Sequence, residues 1–400
     1  MTTSSYLLLD LLLDIAARTD APTLVRCAAT CRDMRRHIAD PAFHRRLRLR
    51  HADRFIPFLL RGHLFPSPRS DKELYLKDNA KRHAAMLLSA AAFSPPGPDG
   101  GEPSRRLKLM DARDGLLLVR TTDQMGDDEE LRVYRPATGQ SQIIPPGRKF
   151  FSRYVLLVGD GKDGGVLGRP FQVLKMNPVQ SNRHPRLLQV QTFFSEKNAW
   201  GPYTEIPIPC VHGDWLKRKP LAAGGAVHWL CRSDTGYCVL KLYYVAGEAR
   251  VTTTKLPASF HLAYSGLFSG LKRLLLATSS PAGGRLCVLV AGTEKISAWV
   301  QLKPDSPRWK GQTVIENEAM VRFAGVDMPS QAMMPSIHLE WFAERSGTVL
   351  VDARYGFFEL DLQSKEIIRF HGRGTLPSDV KHQPYEMDLP SWVPTFTKTF

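Results

Sequence analysis

Gly224-Gly-Ala-Val-His-Trp-Leu230, with an exit at Lys255-Leu-Pro257, decides the fold of the larger part of this chain. Two glycines open a turn, a mainly apolar run follows, and a proline ends the unit after a second mainly apolar run over 238–245. A short apolar run between such punctuation reads as a buried strand, because a helix needs ten or more residues and a 3.6-residue stripe. The phrase recurs. Asp114-Gly-Leu-Leu-Leu118 is followed by Ile143-Ile-Pro-Pro146, and later units open at Lys272-Arg-Leu-Leu-Leu276 and Gly347-Thr-Val-Leu-Val351. Further strand-like runs lie at 131–134, 154–158, 171–176, 187–194, 286–290 and 357–362. Repeats of about 40 to 60 residues made of short strands are the sequence form of propeller blades. Residues 106–400 therefore read as a large all-β domain, a β-propeller, with a β-sandwich as the alternative.

Upstream the text changes. Ser94-Pro-Pro-Gly-Pro-Asp-Gly-Gly-Glu-Pro103 is a breaker cluster, and 71–88 has a helical look, so 51–105 reads as a helical and loop linker. Residues 5–50 read as a small all-α unit of three or four short helices. On the first, over 8–18, Leu8, Leu12 and Ile15 share one stripe while Leu9, Leu13 and Ala16 fall beside it. Asp20 caps a second helix that admits Pro22 in its first turn and carries Leu24, Val25, Ala28 and Ala29. A third runs over 32–39, and Asp40-Pro41 opens another with Phe43 and Leu47. A first helix that is apolar on more than one side needs cover from more than one direction, and so small a unit supplies only part of it.

At 400 residues the chain exceeds what one core usually organises, which agrees with a small and a large domain. Hydrophobic residues are 43% and charged ones 23%, ordinary globular usage rather than the polar composition of disordered chains. The leucine run after Tyr6 lacks a basic leader and holds Asp10 and Asp14, which argues against a signal peptide, and no apolar run approaches the ~20 residues that cross a bilayer. The expectation is a soluble intracellular protein without membrane contact. Six cysteines at 27, 31, 210, 231, 238 and 287 form no disulfide framework, and Cys27 with Cys31 supplies two of the four ligands a structural zinc would take. The formal charge of +15 is concentrated early: ten arginines between Arg26 and Arg61 face three aspartates, a net +7. No aromatic interleaving accompanies them, so a solvated face or an acidic protein partner is the better reading than nucleic acid.

Catalytic signatures are missing from the sequence. Gly159-Asp-Gly-Lys-Asp-Gly-Gly165 has no Ser or Thr after its lysine and reads as a hairpin turn; Asp127-Asp-Glu-Glu130 lacks the alternating oxygens of a calcium loop. His228-Trp229, and His338 with Trp341, lie in strand-like runs where core packing or pocket lining is the ordinary role. Neither a catalytic residue nor a cofactor or metal site is expected. Candidate loop tips for recognition are 121–130, 178–185, 279–284 and 304–310.

Asp10-Leu-Leu-Leu-Asp-Ile15, Arg18, Leu24-Val-Arg-Cys-Ala-Ala-Thr-Cys31, Arg35 and Ile38-Ala-Asp-Pro-Ala-Phe43 resemble an F-box of the large plant type. Leu8 stands where that family usually has proline and Met34 where it usually has tryptophan. A propeller-like associated domain follows the F-box in many such proteins, as the repeat suggests here. The resemblance implies a non-catalytic substrate-recognition subunit of an SCF (SKP-cullin-F-box) ubiquitin ligase. Leu8, Leu11, Leu12, Ile15, Leu24 and Val25 would bind a SKP-type adaptor and through it a cullin; the β domain would hold a protein target, in the cytoplasm, the nucleus or both. The competing expectations are a propeller enzyme or carbohydrate-binding lectin with structural N-terminal helices, and a basic nucleic-acid-associated protein.

Overall fold

The structure is a computed structural model that describes residues 3–17, 27–28, 32–40, 43, 58–79, 83–93, 105–123, 129–150, 153–159, 167, 169–179, 186–209, 219–233, 236–245, 248–260, 273–280, 284–304, 306–325, 337–377 and 380–388. Two N-terminal helices, α1 (Thr3–Ala16) and α2 (Arg32–Ala39), close on a small core of Leu13, Ala16, Ala17, Ala28, Met34, Ile38 and Phe43. Most of the expected second helix, including Leu24 and Val25, lies outside the described residues, as do Asp20 and Pro41.

From Phe58 onward the chain builds sheets in sequence order, each an antiparallel meander. The first blade holds β1 (Phe58–Pro66), β2 (Glu73–Asp78) and β3 (Ala85–Ser89). The second holds β4 (Arg106–Arg113), β5 (Leu116–Thr122), β6 (Glu129–Arg135) and β7 (Gln140–Ile144). In the third, β8 (Arg153–Val158), β9 (Phe171–Val179) and β10 (Leu187–Phe194) are followed by β11 (Ala199–Trp200) and β12 (Thr204–Pro207), both paired with β10. The fourth comprises β13 (Leu221–Ala223), β14 (Ala226–Ser233), β15 (Gly236–Val245) and β16 (Glu248–Lys255); the fifth β17 (Leu274–Thr278), β18 (Leu286–Ala291), β19 (Lys295–Gln301) and β20 (Trp309–Glu316), after which comes helix α3 (Asn317–Phe323). The sixth is β21 (His338–Phe342), β22 (Thr348–Ala353), β23 (Gly356–Asp361) and β24 (Glu366–Gly372).

The last strand, β25 (Gln383–Asp388), returns to pair antiparallel with β1, so the first blade takes its inner strand from the far end of the chain. Leading strands touch their neighbours around the ring, β25 with β4, β4 with β8 and β17 with β21. This is a six-bladed propeller and excludes the β-sandwich alternative: six separate sheets surround one axis instead of two facing each other. Apolar faces of adjacent blades form the core. Val227, Trp229, Leu240 and Leu242 of the fourth, for example, pack on Val155, Leu174, Met176, Leu188 and Val190 of the third.

The 51–105 segment is where the structure departs from the sequence reading. None of the described residues of 71–88 is helical; β2 and β3 occupy most of them, and with β1 they belong to the propeller. Leu, Met, Lys and Ala favour helix locally, but pairing with β1 and burial of Leu64, Leu74 and Leu88 override that preference. The β unit therefore starts before residue 60 instead of at 106.

Candidate functional site

At one end of the propeller axis the turns that follow the leading strands surround a cavity of about 560 Å³. Its wall includes Arg113, Gly159, Ala223-Gly224-Gly225, Thr278, Glu344 and Arg345. Two of these turns explain the glycine-led openings of the sequence repeat. Asp114 and Gly115 between β4 and β5, and Gly224 and Gly225 between β13 and β14, all have positive φ, the geometry that lets a two-residue hairpin match the strand twist. The glycines that marked strand starts are thus the residues at the mouth.

Charged side chains lock these turns together across blades. Arg113 Nη2 donates to Glu344 Oε1 at 2.8 Å, joining the second blade to the sixth, and Ala222 N–H of the fourth donates to the same oxygen at 3.2 Å. Arg345 forms a fork on Asp114, its Nε and Nη2 lying 3.1 and 2.9 Å from the two carboxylate oxygens. Lys219 stands 3.5 Å from Asp111, whose other oxygen accepts the Leu156 N–H at 2.9 Å. Glu386, on β25, accepts the Ser346 and Arg345 backbone N–H groups at 2.7 and 3.2 Å. Burial pushes the Glu386 carboxyl up to about 7, helped by the charge of Asp114 and opposed by those N–H donors. Burial also raises Glu344, against the pull of Arg113 and Lys219. Sequence reading quoted Asp114 in its Asp-Gly turn but gave none of these charged residues a role; Asp111 and Arg113 lie just before that turn, and Glu344 and Arg345 just before Gly347.

Much of the candidate loop tips, 124–128, 180–185, 281–283 and 305, lies outside the described residues; Thr278, next to 279–284, lines the cavity. Trp229 and Trp341 are core residues, and His228 bonds the Ala223 carbonyl. The glycine-rich stretch 160–165 lies outside the described residues; Glu129 accepts the Tyr154 hydroxyl and Glu130 pairs with Arg132. Among the described residues one group has donors spaced for a metal, His63, Glu359 and His371, and it does not line the cavity.

On α1 the two stripes separate. Leu13 and Ala16 are buried in the helical core, while Leu11 is 60%, Leu12 44% and Ile15 53% exposed. Leu8 is on the helix, with its side chain outside the described residues. Of the arginine cluster, Arg32, Arg35 and Arg36 lie on α2 and Arg61 pairs with Asp78 on β2. No helix among the described residues is long and apolar enough to cross a membrane.

Two family models match the chain. One, described as F-box-like, covers residues 9–50, the segment whose α1 presents the exposed leucines. The other, described as a domain of unknown function (DUF7595), covers residues 106–398. No curated protein matches. Solved structures similar to this chain include the WD40 domain of SCAP from fission yeast, 9% identical over 68% of this chain and 55% of that one, TM-score 0.33. An acylaminoacyl peptidase in complex with Z-Gly-Gly-Phe-chloromethyl ketone is 10% identical over 76% and 41%, TM-score 0.35. The alpha-L-arabinanase of Penicillium chrysogenum is 11% identical over 77% and 91%, TM-score 0.35. The chain spans about half the length of the first two, and at these scores the likeness carries no argument. With more than half of its length matched, the chain belongs to the DUF7595 family and carries an F-box-like segment ahead of that domain.

Proposed function

We propose that this protein is the substrate-recognition subunit of an SCF ubiquitin ligase, docking a SKP-type adaptor through α1 and holding a protein target at the propeller mouth. The observation that carries the reading is the outer face of α1: three large apolar side chains, Leu11, Leu12 and Ile15, stand in solvent inside the F-box-like segment. Their own domain is too small to cover them, and a contiguous exposed apolar strip marks a contact surface. Leu8, Leu24 and Val25 extend that surface in the proposal, and a cullin follows through the adaptor. The catalytic steps belong to the ligase's other subunits. Charged groups at the mouth engage one another, Arg113 with Glu344 and Arg345 with Asp114, which supports a recognition surface over a hydrolytic site. The ligase reading places the protein in cytoplasm or nucleus.

The test is co-purification of the full chain with a SKP-type adaptor, comparing wild type with Leu12→Asp plus Ile15→Asp. Both positions are already solvated, so the variant folds; central apolar anchors typically cost about 2 kcal/mol each when lost, and a buried unpaired carboxylate costs more. Binding is abolished in the variant, while Arg45→Ala plus Arg46→Ala weakens it little. A folded double variant that co-purifies at undiminished yield refutes the docking face and the function with it.

A further inference from the structure

The first and sixth blades meet where the ring closes, and there three strands bring His63 (β1), Glu359 (β23) and His371 (β24) together. His63 and Glu359 are separated by 296 positions in the chain, yet the His63 Nε2 is 2.8 Å from Glu359 Oε1. The His371 Nε2 is 2.8 Å from the same oxygen. The imidazole rings stand edge to face with centroids 5.0 Å apart, and Trp341 packs on His63 at 5.3 Å. None of the three is more than 5% exposed. Arg369 Nη1 lies 3.7 Å from the other carboxylate oxygen. Two imidazole nitrogens and a carboxylate, all buried, join two sheets here, where apolar side chains make up most of the packing between other blades.

We propose that His63, Glu359 and His371 form a structural zinc site that clasps the first blade to the sixth. Two imidazoles and one carboxylate are a recognised zinc donor set, and the set suits zinc better than magnesium or calcium, which take oxygen ligands.

Geometry requires a small opening. Zinc bonds of about 2.0–2.2 Å in a tetrahedron separate donors by roughly 3.4 Å, and the two nitrogens now sit 2.8 Å from the shared oxygen. Small torsion adjustments open that spacing, the carboxylate supplies the third donor through one oxygen, and a water takes the fourth position, as in other zinc sites of two histidines and one carboxylate. Each imidazole moves its Nε2 proton to Nδ1, so no net proton is released. The His63 Nδ1, which has no hydrogen-bond partner, can carry it. Because the donors come from opposite ends of the propeller sequence, the site exists only once the ring is closed, and ion binding adds directly to the stability of that closure. This inference does not depend on the ligase reading.

The experiment uses the untagged full chain, incubated with zinc, dialysed and analysed for bound metal. About one zinc per chain is retained, a chelator removes it, and the melting temperature falls on removal and recovers when zinc returns. His371→Gln keeps a hydrogen-bond donor for Glu359 but not the imidazole, and it retains no stoichiometric zinc. Cobalt substitution of the wild type gives the visible bands of a four-coordinate nitrogen and oxygen site without thiolate charge transfer, which decides the matter even where the variant folds poorly. Wild-type protein that retains no zinc and melts identically with and without chelator overturns the proposal and leaves a hydrogen-bonded strut. So does a His371→Gln variant that holds as much zinc as wild type, or cobalt bands of thiolate character.

Discussion

Removing β1–β3 tests whether residues before 103 belong to the propeller. A fragment beginning at residue 103 leaves β25 without its partner β1 and strips the second and sixth blades of one neighbour. Leu64, Leu74 and Leu88 pack with Leu107, Leu117, Val119, Tyr385 and Met387, and Phe65 packs with Trp341, Leu350 and Phe357. These four large side chains are each 5% exposed or less. At about 1.5 to 3 kcal/mol per buried side chain, losing them costs roughly 6 to 12 kcal/mol, similar to the 5 to 15 kcal/mol that holds a typical domain folded. Exposed apolar faces on both flanks add an aggregation risk. The assay compares fragments 55–390 and 103–400 by circular dichroism, thermal melting and size exclusion. The longer fragment melts cooperatively as a monomer; the shorter aggregates or melts without a sharp transition. If 103–400 is monomeric and melts within a few degrees of the longer fragment, the first blade is dispensable and the ring-closure argument fails.

The mouth gives further tests. The Glu386 carboxyl, raised by burial from 4.5 to about 7, holds its proton more tightly in the native state than in the unfolded chain, so it costs wild type stability as pH rises through that window. Glu386→Gln stays neutral and gains about 3 kcal/mol relative to wild type between pH 5 and 8 in urea denaturation; a constant difference across that range contradicts the assignment. Arg113→Ala leaves Glu344 without its cation and costs about 3 kcal/mol, while Arg113→Met with Glu344→Met recovers most of the loss; equal instability of the single and double variants argues against the pair. A Cβ on Gly62 would overlap the Lys77 backbone carbonyl in the β1–β2 ladder, so Gly62→Ala destabilises by about 1 to 3 kcal/mol, and an unchanged melting temperature refutes that close approach.

The sequence by itself determined the elements whose cause is local. Apolar runs between glycine and proline coincide with strands, β10 at the residues expected, because burial on both faces leaves a continuous hydrophobic run that needs no distant partner to be recognised; α2 also falls at its expected residues. The surplus apolar face of α1 was equally legible, since 3.6-residue periodicity separates Leu12 and Ile15 from Leu13 and Ala16 before any contact is known. Tertiary structure alone decided the rest. Residues 73–78 and 85–88 lie in a stretch of helix-favouring side chains and form strands, β2 by pairing with β1 and β3 by pairing with β2, while β1 is paired in turn with β25 from the other end of the described propeller. Arg113 meets Glu344 and His63 meets Glu359 across separations of 231 and 296 residues, and neither pairing leaves a trace in spacing or composition. Ring closure sets those distances: six twisted sheets around one axis bring the first blade against the last and the turns of the second and sixth blades together at the mouth.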